Sequence, residues 1–544
     1  MRPVDWFGGY VRAGAGPTPV PLPARQLHPE PMLWTAGDLP ARVASRSGRA
    51  AAVFGHCSMS DHELVGLTEG ADDPLGGSNP LGWMNPVGWS GCYTVVRCDP
   101  TATRILTDPA GAQPVYVARS SGGLLWGSSA RALSALLGGR IDEDYLRARL
   151  PDVGAGLPTG TDADRPADSL AAGLERSPYA GVWLVPPGSW VRLTGDGEID
   201  LRQAWQPRDR STSDGIMRLR AALAGGVRTR TSELARVTAD CSGGLDSTTI
   251  CLLCDPSQVT AVSVRPPNLF TGGDLDYARA VDLAYPMLKR QQVVVSEAQL
   301  PYTGLLGLPA TDEPPRSVTV FSRTAHICEV LREVGSDLHL TGDGADVLLA
   351  PPLSYLSRLS RWHPLRAWRH ARGWAYLTEQ SPWRLRDPGS RLQRVREAAR
   401  SAASDQQLVA SLGLRYSNPF FDNQVVDAVL GVRADRYASP YHYKPLLVSA
   451  FSDLLPPTVA GRGTKAIMVA DHYRGIRANL EELLSLLDGD LAARGLIDPP
   501  WLRDQVRDAA AGIPVALGML ETVLGTEAWL RAVYAAEAPR WEWI

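Results

Sequence analysis

Up to about residue 207 the chain places short apolar runs between Gly and Pro, as in Ala51-Ala52-Val53-Phe54, Tyr93-Thr94-Val95-Val96, Pro114-Val115-Tyr116-Val117 and Gly181-Val182-Trp183-Leu184-Val185. Such runs, bounded by turn formers, predict a strand-rich front half with few long helices. The stretch Pro151 to Pro166 is heavy in Gly, Pro and Asp, has no period, and is expected to be a loop. After Pro207 the pattern lengthens. Helical periods such as Met217 to Leu223 alternate with short apolar strands, Val259 to Val264 and Leu338 to Leu340, which predicts a parallel sheet wrapped by helices. From about Pro352 onward the pattern is almost entirely helical, and no internal repeat is visible. The expected division is therefore 1–207 and 208–544.

Length and charge narrow this picture. A chain of 544 residues buries two or more cores, and 44% hydrophobic with 21% charged residues is a globular composition. A net charge of -3 argues against a surface built for nucleic acid. Seven scattered cysteines without a paired Cys-x-x-Cys set read as reduced thiols. The opening residues lack a signal-peptide core, and no uncharged run reaches the ~18 residues a membrane span needs, so a soluble cytoplasmic protein is expected.

The candidate chemistry lies at Ser242-Gly243-Gly244-Leu245-Asp246-Ser247, preceded by a predicted strand, Ala235 to Cys241, and followed by a predicted helix, Ser247 to Leu253. Strand, glycine turn and helix in that order make a phosphate cradle. The glycines let the backbone approach, the helix N-terminus aims N–H groups outward, and the Ser242 and Ser247 hydroxyls add donors. The Gly-Lys-Ser/Thr of a Walker A loop is absent. The plainer alternative is a small-residue turn whose Ser or Asp caps the helix.

Ser-Gly-Gly-Leu-Asp-Ser resembles the loop of the N-type ATP pyrophosphatases, and specifically of the asparagine synthetase family. Further segments follow in that family's order: Asp312-Glu313-Pro314, Leu340-Thr341-Gly342-Asp343-Gly344-Ala345-Asp346, Asn418-Pro419-Phe420-Phe421-Asp422, and Leu455-Pro456-Pro457 leading to Arg462-Gly463-Thr464-Lys465. The resemblance implies an α/β fold: a degenerate Ntn-hydrolase, glutaminase-like sandwich in front, then an ATP-pyrophosphatase (PP-loop) synthetase domain with a helical C-terminal part. It implies ATP and Mg²⁺, with Asp246 and Asp346 holding the metal and Lys465 facing pyrophosphate. Val264, Thr341 and Gly342 match positions lining adenine and ribose, and Asp343 matches a residue near the reacting centre, where it would orient or deprotonate the amine. Charge accumulating on phosphorus and on the leaving group calls for such acids, metal and cation. Val347 departs from the acid that commonly follows Asp346.

In glutamine-dependent relatives a cysteine exposed as the mature N-terminus attacks glutamine. Here Arg2 holds position 2. The front domain stays recognisable in Trp89-Ser90-Gly91-Cys92-Tyr93, in Asp108 to Tyr116 and in Ser128-Ser129. Phe54, however, stands where Asn is usual, and Ser90 where Asp is usual. Cys57 beside His56 is a weak substitute, since a buried thiol is the commoner fate.

Relatives lacking the cysteine include lasso peptide cyclases (macrolactam synthetases) and β-lactam or carbapenam synthetases. The segment Asp471 to Arg477 and the helical tail look most like the lasso peptide cyclases, whereas the β-lactam enzymes typically carry Tyr at the position of Asp343. The implied substrate is a lasso precursor core peptide, with a leader peptidase and a leader-recognition protein as partners, and neither nucleic acid nor membrane. Ammonia-dependent asparagine formation is a third reading. Arg358 to Arg400, interleaved with Trp362, Trp368, Trp374 and Trp383, is a candidate peptide surface, but amphipathic helices with core Trp and solvated Arg are the favoured account. His363 and His370 lack a partner set for zinc.

Overall fold

Side chains along Arg49–Gly55 alternate between two cores, Ala50, Ala52 and Phe54 entering one and Ala51 and Val53 the other, as the two-residue repeat of a strand requires. The strand belongs to a six-stranded antiparallel sheet ordered Ile199–Gln203, Ser189–Thr194, Ala102–Leu106, Tyr93–Cys98, Arg49–Gly55 and Ala41–Arg46. Against its inner face packs a seven-stranded sheet ordered Glu175–Arg176, Val182–Leu184, Tyr116–Ser120, Gly123–Gly127, Trp6–Arg12, Met32–Ala36 and Arg25–His28. Phe7 stacks on Phe54 with centroids 4.2 Å apart, and Trp126 meets both edge-on. The helix Asp61–Glu69 covers the outer face of the six-stranded sheet through Leu64 and Leu67. The strand expected from Pro114 begins at Tyr116, because Pro114 has no N–H for the ladder.

This computed structural model describes residues 5–14, 16–29, 32–69, 85–150, 170–266, 273–349, 391–437, 442–463 and 469–544. Arg2, the expected loop at Pro151 to Pro166, Lys465, and most of the Arg- and Trp-rich stretch with His363 and His370 lie outside the described residues.

The second half opens with α1 (Thr212–Thr231), whose N-cap Ser211 accepts from Asp214 N at 3.1 Å. There follow β1 (Val237–Asp240), α2 (Leu245–Leu253), β2 (Val259–Arg265), α3 (Asp274–Ala284), β3 (Lys289–Val294), α4 (Phe321–Glu333), β4 (Leu338–Leu340), α5 (Ala345–Leu349), α6 (Arg391–Ser411), β5 (Tyr416–Ser417), α7 (Asn423–Leu430) and α8 (Pro445–Ala450). The five strands are parallel and ordered β3-β2-β1-β4-β5. From β1 the chain builds outward to one edge, then returns to build β4 and β5 on the other side. The connections leaving β1 and β4 therefore diverge at the carboxyl end of the sheet, where ligands bind in open α/β sheets.

The architecture is thus mixed α/β. The helical tail ending in Leu517–Ala535 packs on the outer face of the seven-stranded sheet, sharing one core with Trp6, Trp34 and Tyr116. The last strand, Arg540–Trp543, pairs with Pro19–Leu22, and Trp541 lies against Trp6 and Trp34 at 5.8 and 5.9 Å. Among the described residues no helix is long and apolar enough to cross a membrane.

Candidate active site

The loop after β1 is shaped by its glycines. Gly243 has φ +80°, and a Cβ there would sit 2.5 Å from the Ala278 backbone N of α3, so only glycine lets the turn press onto that helix. Ser242 and Ser247 hydroxyls meet at 3.0 Å, and Gly244 N donates to Ser242 Oγ at 3.3 Å, which closes the turn. Gly244 is the N-cap of α2, and no side chain caps the helix. The plainer reading, a Ser or Asp side chain capping this helix, does not hold, and an uncapped helix N-terminus is the kind of end that binds anions. The helix starts at Leu245, two residues before the sequence suggested.

Behind the turn, the buried Arg462 guanidinium donates to Gly243 O at 3.0 Å, pairs with Asp274, and lies 4.4 Å over the Tyr277 ring. Arg462 thus braces the loop from outside.

The loop after β4 touches the first one. A Cβ on Gly342 would fall 2.7 Å from Ser247 N and 2.9 Å from Asp246 Cβ. Thr341, buried, accepts from Asp343 N at 3.2 Å and from Asn418 Nδ2 at 2.8 Å. Asp346 stands in the first turn of α5. Asp343 is exposed between them, and Val264 is 37% exposed at the carboxyl end of β2. The described residues matched to nucleotide and metal, Ser242 to Ser247, Val264, Thr341, Gly342, Asp343 and Asp346, therefore gather at one end of the parallel sheet.

The centre of this site is a residue the sequence reading missed. Lys444, buried and in the left-handed region at φ +49°, sits just before Pro445 at the start of α8. Its ammonium pairs with Asp246 Oδ2 and lies 2.5 Å from Asp346 Oδ1, while Tyr443 Oη donates to the same Asp346 oxygen at 2.9 Å. Burial works against its charge, but the two carboxylates outweigh burial and raise its pKa. One cation position is thus common to both acids. A signal was present: among 55 basic residues only Lys289, Lys444 and Lys465 are lysine. A chain that uses Arg nearly everywhere and keeps Lys here selects a compact point charge.

Near Asp343 lies the half-buried Asp405, accepting from Ser317 N at 3.0 Å and Ser317 Oγ at 2.5 Å. Burial pushes Asp405 up to about 6 against those hydrogen bonds, and Asp343 adds repulsion.

The Asp312-Glu313 pair does different work. Asp312 accepts from Ser129 Oγ at 2.7 Å and Arg131 N at 2.8 Å; Glu313 accepts from Tyr116 Oη at 2.9 Å, Tyr145 Oη at 3.1 Å and Arg400 Nη2 at 2.6 Å. These acids join the front sandwich to α6.

In the front half, Phe54 is wholly buried in the sandwich, and Ser90 Oγ donates to Gln424 Oε1 of α7 at 3.0 Å. Burial pushes the Cys57 thiol up to about 12 and, with Arg230 and Arg415, holds His56 down to about 3. The pair makes neither a thiolate nor an imidazolium at neutral pH. A cavity of about 760 Å³ lies between the halves, lined by His56, Cys57 and Gln113 on one side and Arg230, Gln406 and Asn418 on the other.

A model of the asparagine synthase family matches residues 218–418 and 407–531, more than half of the chain. The chain belongs to the asparagine synthase family. It is an ATP-dependent carbon–nitrogen ligase, and both loops that meet at Lys444 fall within the matched span. No curated protein is significantly similar to it. Among solved structures, glutamine phosphoribosylpyrophosphate amidotransferase from B. subtilis complexed with ADP and GMP is 10% identical, over 59% of this chain and 68% of that one, with a TM-score of 0.18. The allosteric regulatory enzyme of purine biosynthesis is 11% identical, over 55% and 70%, also at 0.18. Values this low leave the family match as the finding that counts.

Proposed function

We propose that this family member is a macrolactam synthetase of the lasso peptide cyclase type. An Asp or Glu side-chain carboxylate of a precursor core peptide attacks the α-phosphorus of ATP, the bond to the bridging oxygen breaks, and pyrophosphate leaves. The α-amine of the first core residue then attacks the acyl carbon, AMP departs, and the amine's proton passes to a base. In this reading residues 1–207 are a glutaminase-like sandwich without its chemistry, and 208–544 a PP-loop synthetase domain.

The observation carrying the proposal is the contrast between the two halves. Two acids and an uncapped helix end converge at the carboxyl end of the parallel sheet, while the front half buries Phe54 and keeps its Cys57 thiol protonated. With no ammonia made from glutamine, the substrate itself supplies the amine. Asp246 and Asp346 suit Mg²⁺, which is typically held by one or two carboxylates plus substrate phosphates, and they already share one cation position. When bound, the metal would neutralise phosphate charge. Lys444 holds the two acids together, Lys465 faces pyrophosphate, and the α2 amides cradle it. Val264, Thr341 and Gly342 border the nucleoside, and Asp343 orients the amine. A leader peptidase and a leader-recognition protein are the proposed partners, in the cytoplasm, with neither nucleic acid nor membrane involved.

Incubation with a leader-free core peptide, ATP and Mg²⁺ tests this. A product lighter by one water, with AMP and pyrophosphate, is expected; release of ADP overturns the adenylation. Turnover of a free β-amino acid would favour a β-lactam or carbapenam-type synthetase instead, and turnover of aspartate with ammonia the asparagine-forming reading.

A further inference from the structure

We propose that Asp240 recognises the sugar hydroxyls of the bound nucleotide. The inference rests on the nucleotide reading above and adds a specificity residue to it.

Parallel register pairs Asp240 with Val262 and Thr238 with His339. Side chains two apart on a strand share a face. Thr238, Asp240, Val262, Val264 and His339 therefore all lie on the face covered by Cys328 and Leu331 of α4. A polar ladder climbs that face. Ser336 Oγ and Thr238 Oγ1 are 2.8 Å apart, Thr238 Oγ1 and His339 Nδ1 2.9 Å, and His339 Nε2 and Asp240 Oδ1 3.3 Å. In the arrangement that uses every proton, Ser336 donates to Thr238, Thr238 to Nδ1, and the Nε2 proton goes to Asp240. The lower rungs are sealed: Thr238 is 2% and His339 1% exposed, whereas the Asp240 side chain is 38% exposed. The ladder thus ends in a half-exposed carboxylate, oriented from below, immediately before Cys241 and Ser242.

Its position in the sheet matters more than its exposure. Val264 leaves β2 on one side of β1, and Thr341 and Gly342 leave β4 on the other. A nucleoside bordered by both crosses the end of β1. Asp240 is the one acid on that strand. A carboxylate accepts two hydroxyl protons at once, which suits vicinal ribose hydroxyls, and an ionised acceptor strengthens each bond.

The experiment measures the affinity of the full chain with Mg²⁺ for ATP, 2′-deoxy-ATP and 3′-deoxy-ATP by calorimetry, for wild type, Asp240→Asn and Asp240→Ala. Asp240→Asn keeps an oxygen for the His339 proton and turns the outer oxygen into an amide donor, so it changes recognition while preserving the ladder. Wild type is expected to prefer ATP over a deoxy nucleotide by about tenfold, and both variants to lose that preference by weakening ATP to the deoxy level. An unchanged preference in folded Asp240→Asn overturns the proposal and leaves the nucleotide reading standing. A wild type that binds no ATP sinks both.

Discussion

The two halves of the chain treat comparable turns in opposite ways. Beneath the parallel sheet's carboxyl end, each close approach is made by a glycine: Gly243 against α3, Gly342 against Ser247. These contacts bring Asp246 and Asp346 onto one cation. In the front half the end of a strand, Phe54 before Gly55, is given to packing, with the Phe54 ring on Phe7 and against Trp126. A buried aromatic stack contributes to the core, whereas a polar ligand group there would need partners. The front half thus gives this position to core packing. It persists as a support, tied through Asp312 and Glu313 to α6, which also carries Asp405.

The largest break in this contrast is Lys444→Met. It leaves two converging carboxylates without their shared cation, and removing one partner of a buried ionic cluster costs about 3–5 kcal/mol. Thermal denaturation is expected to show that loss, along with absent pyrophosphate release. Asp246→Asn and Asp346→Asn keep shape and hydrogen bonding. Each is expected to lower pyrophosphate release by about 10²–10³-fold, the scale for losing one charge-stabilising group, with unchanged circular dichroism. Near-wild-type turnover in either variant would move the site away from the parallel sheet.

Much of the site was legible because it is local. The turn, Asp246 and the start of α2 lie within a few residues, and Gly342 to Asp346 repeats that economy. Lys444 was not, because it reaches Asp246 from 198 residues away and carries no motif of its own; only the scarcity of lysine pointed to it. The Asp240 to His339 ladder was likewise hidden, since parallel strands 99 residues apart set it. Strands of the sandwich were visible as short apolar runs, but which faces meet depended on pairings that periodicity does not encode.

The tie between the halves is tested by Tyr116→Phe, which removes the phenol donating to Glu313. A bond to a charged, buried acceptor contributes about 1.5–3 kcal/mol, and a drop of that size in urea denaturation is expected. A smaller effect concerns pH. Asp405 has a folded pKa of about 6, above its unfolded value of 3.8. Between those values the folded state binds more protons, so stability falls as pH rises from about 4 to 6. Asp405→Asn removes that contribution, and its stability against pH is expected to be flatter across the window. An identical slope would show that Asp405 does not titrate there.

The smallest expected effect is the sharpest statement about the front half. Cys57 is the one thiol there that is only partly buried, and it lines the cavity between the halves. Its thiol, held near 12, has almost no thiolate at neutral pH, and His56, held near 3, is no proton donor. Cys57→Ser is therefore expected to change pyrophosphate release by less than about twofold, since substitutions away from catalytic and buried polar features are usually mild. Glutamine is expected to yield no glutamate with either protein. Glutamate formation by wild type that disappears in Cys57→Ser would mean that the front half still performs chemistry, and the difference between the two crevices would be one of nucleophile rather than of presence and loss.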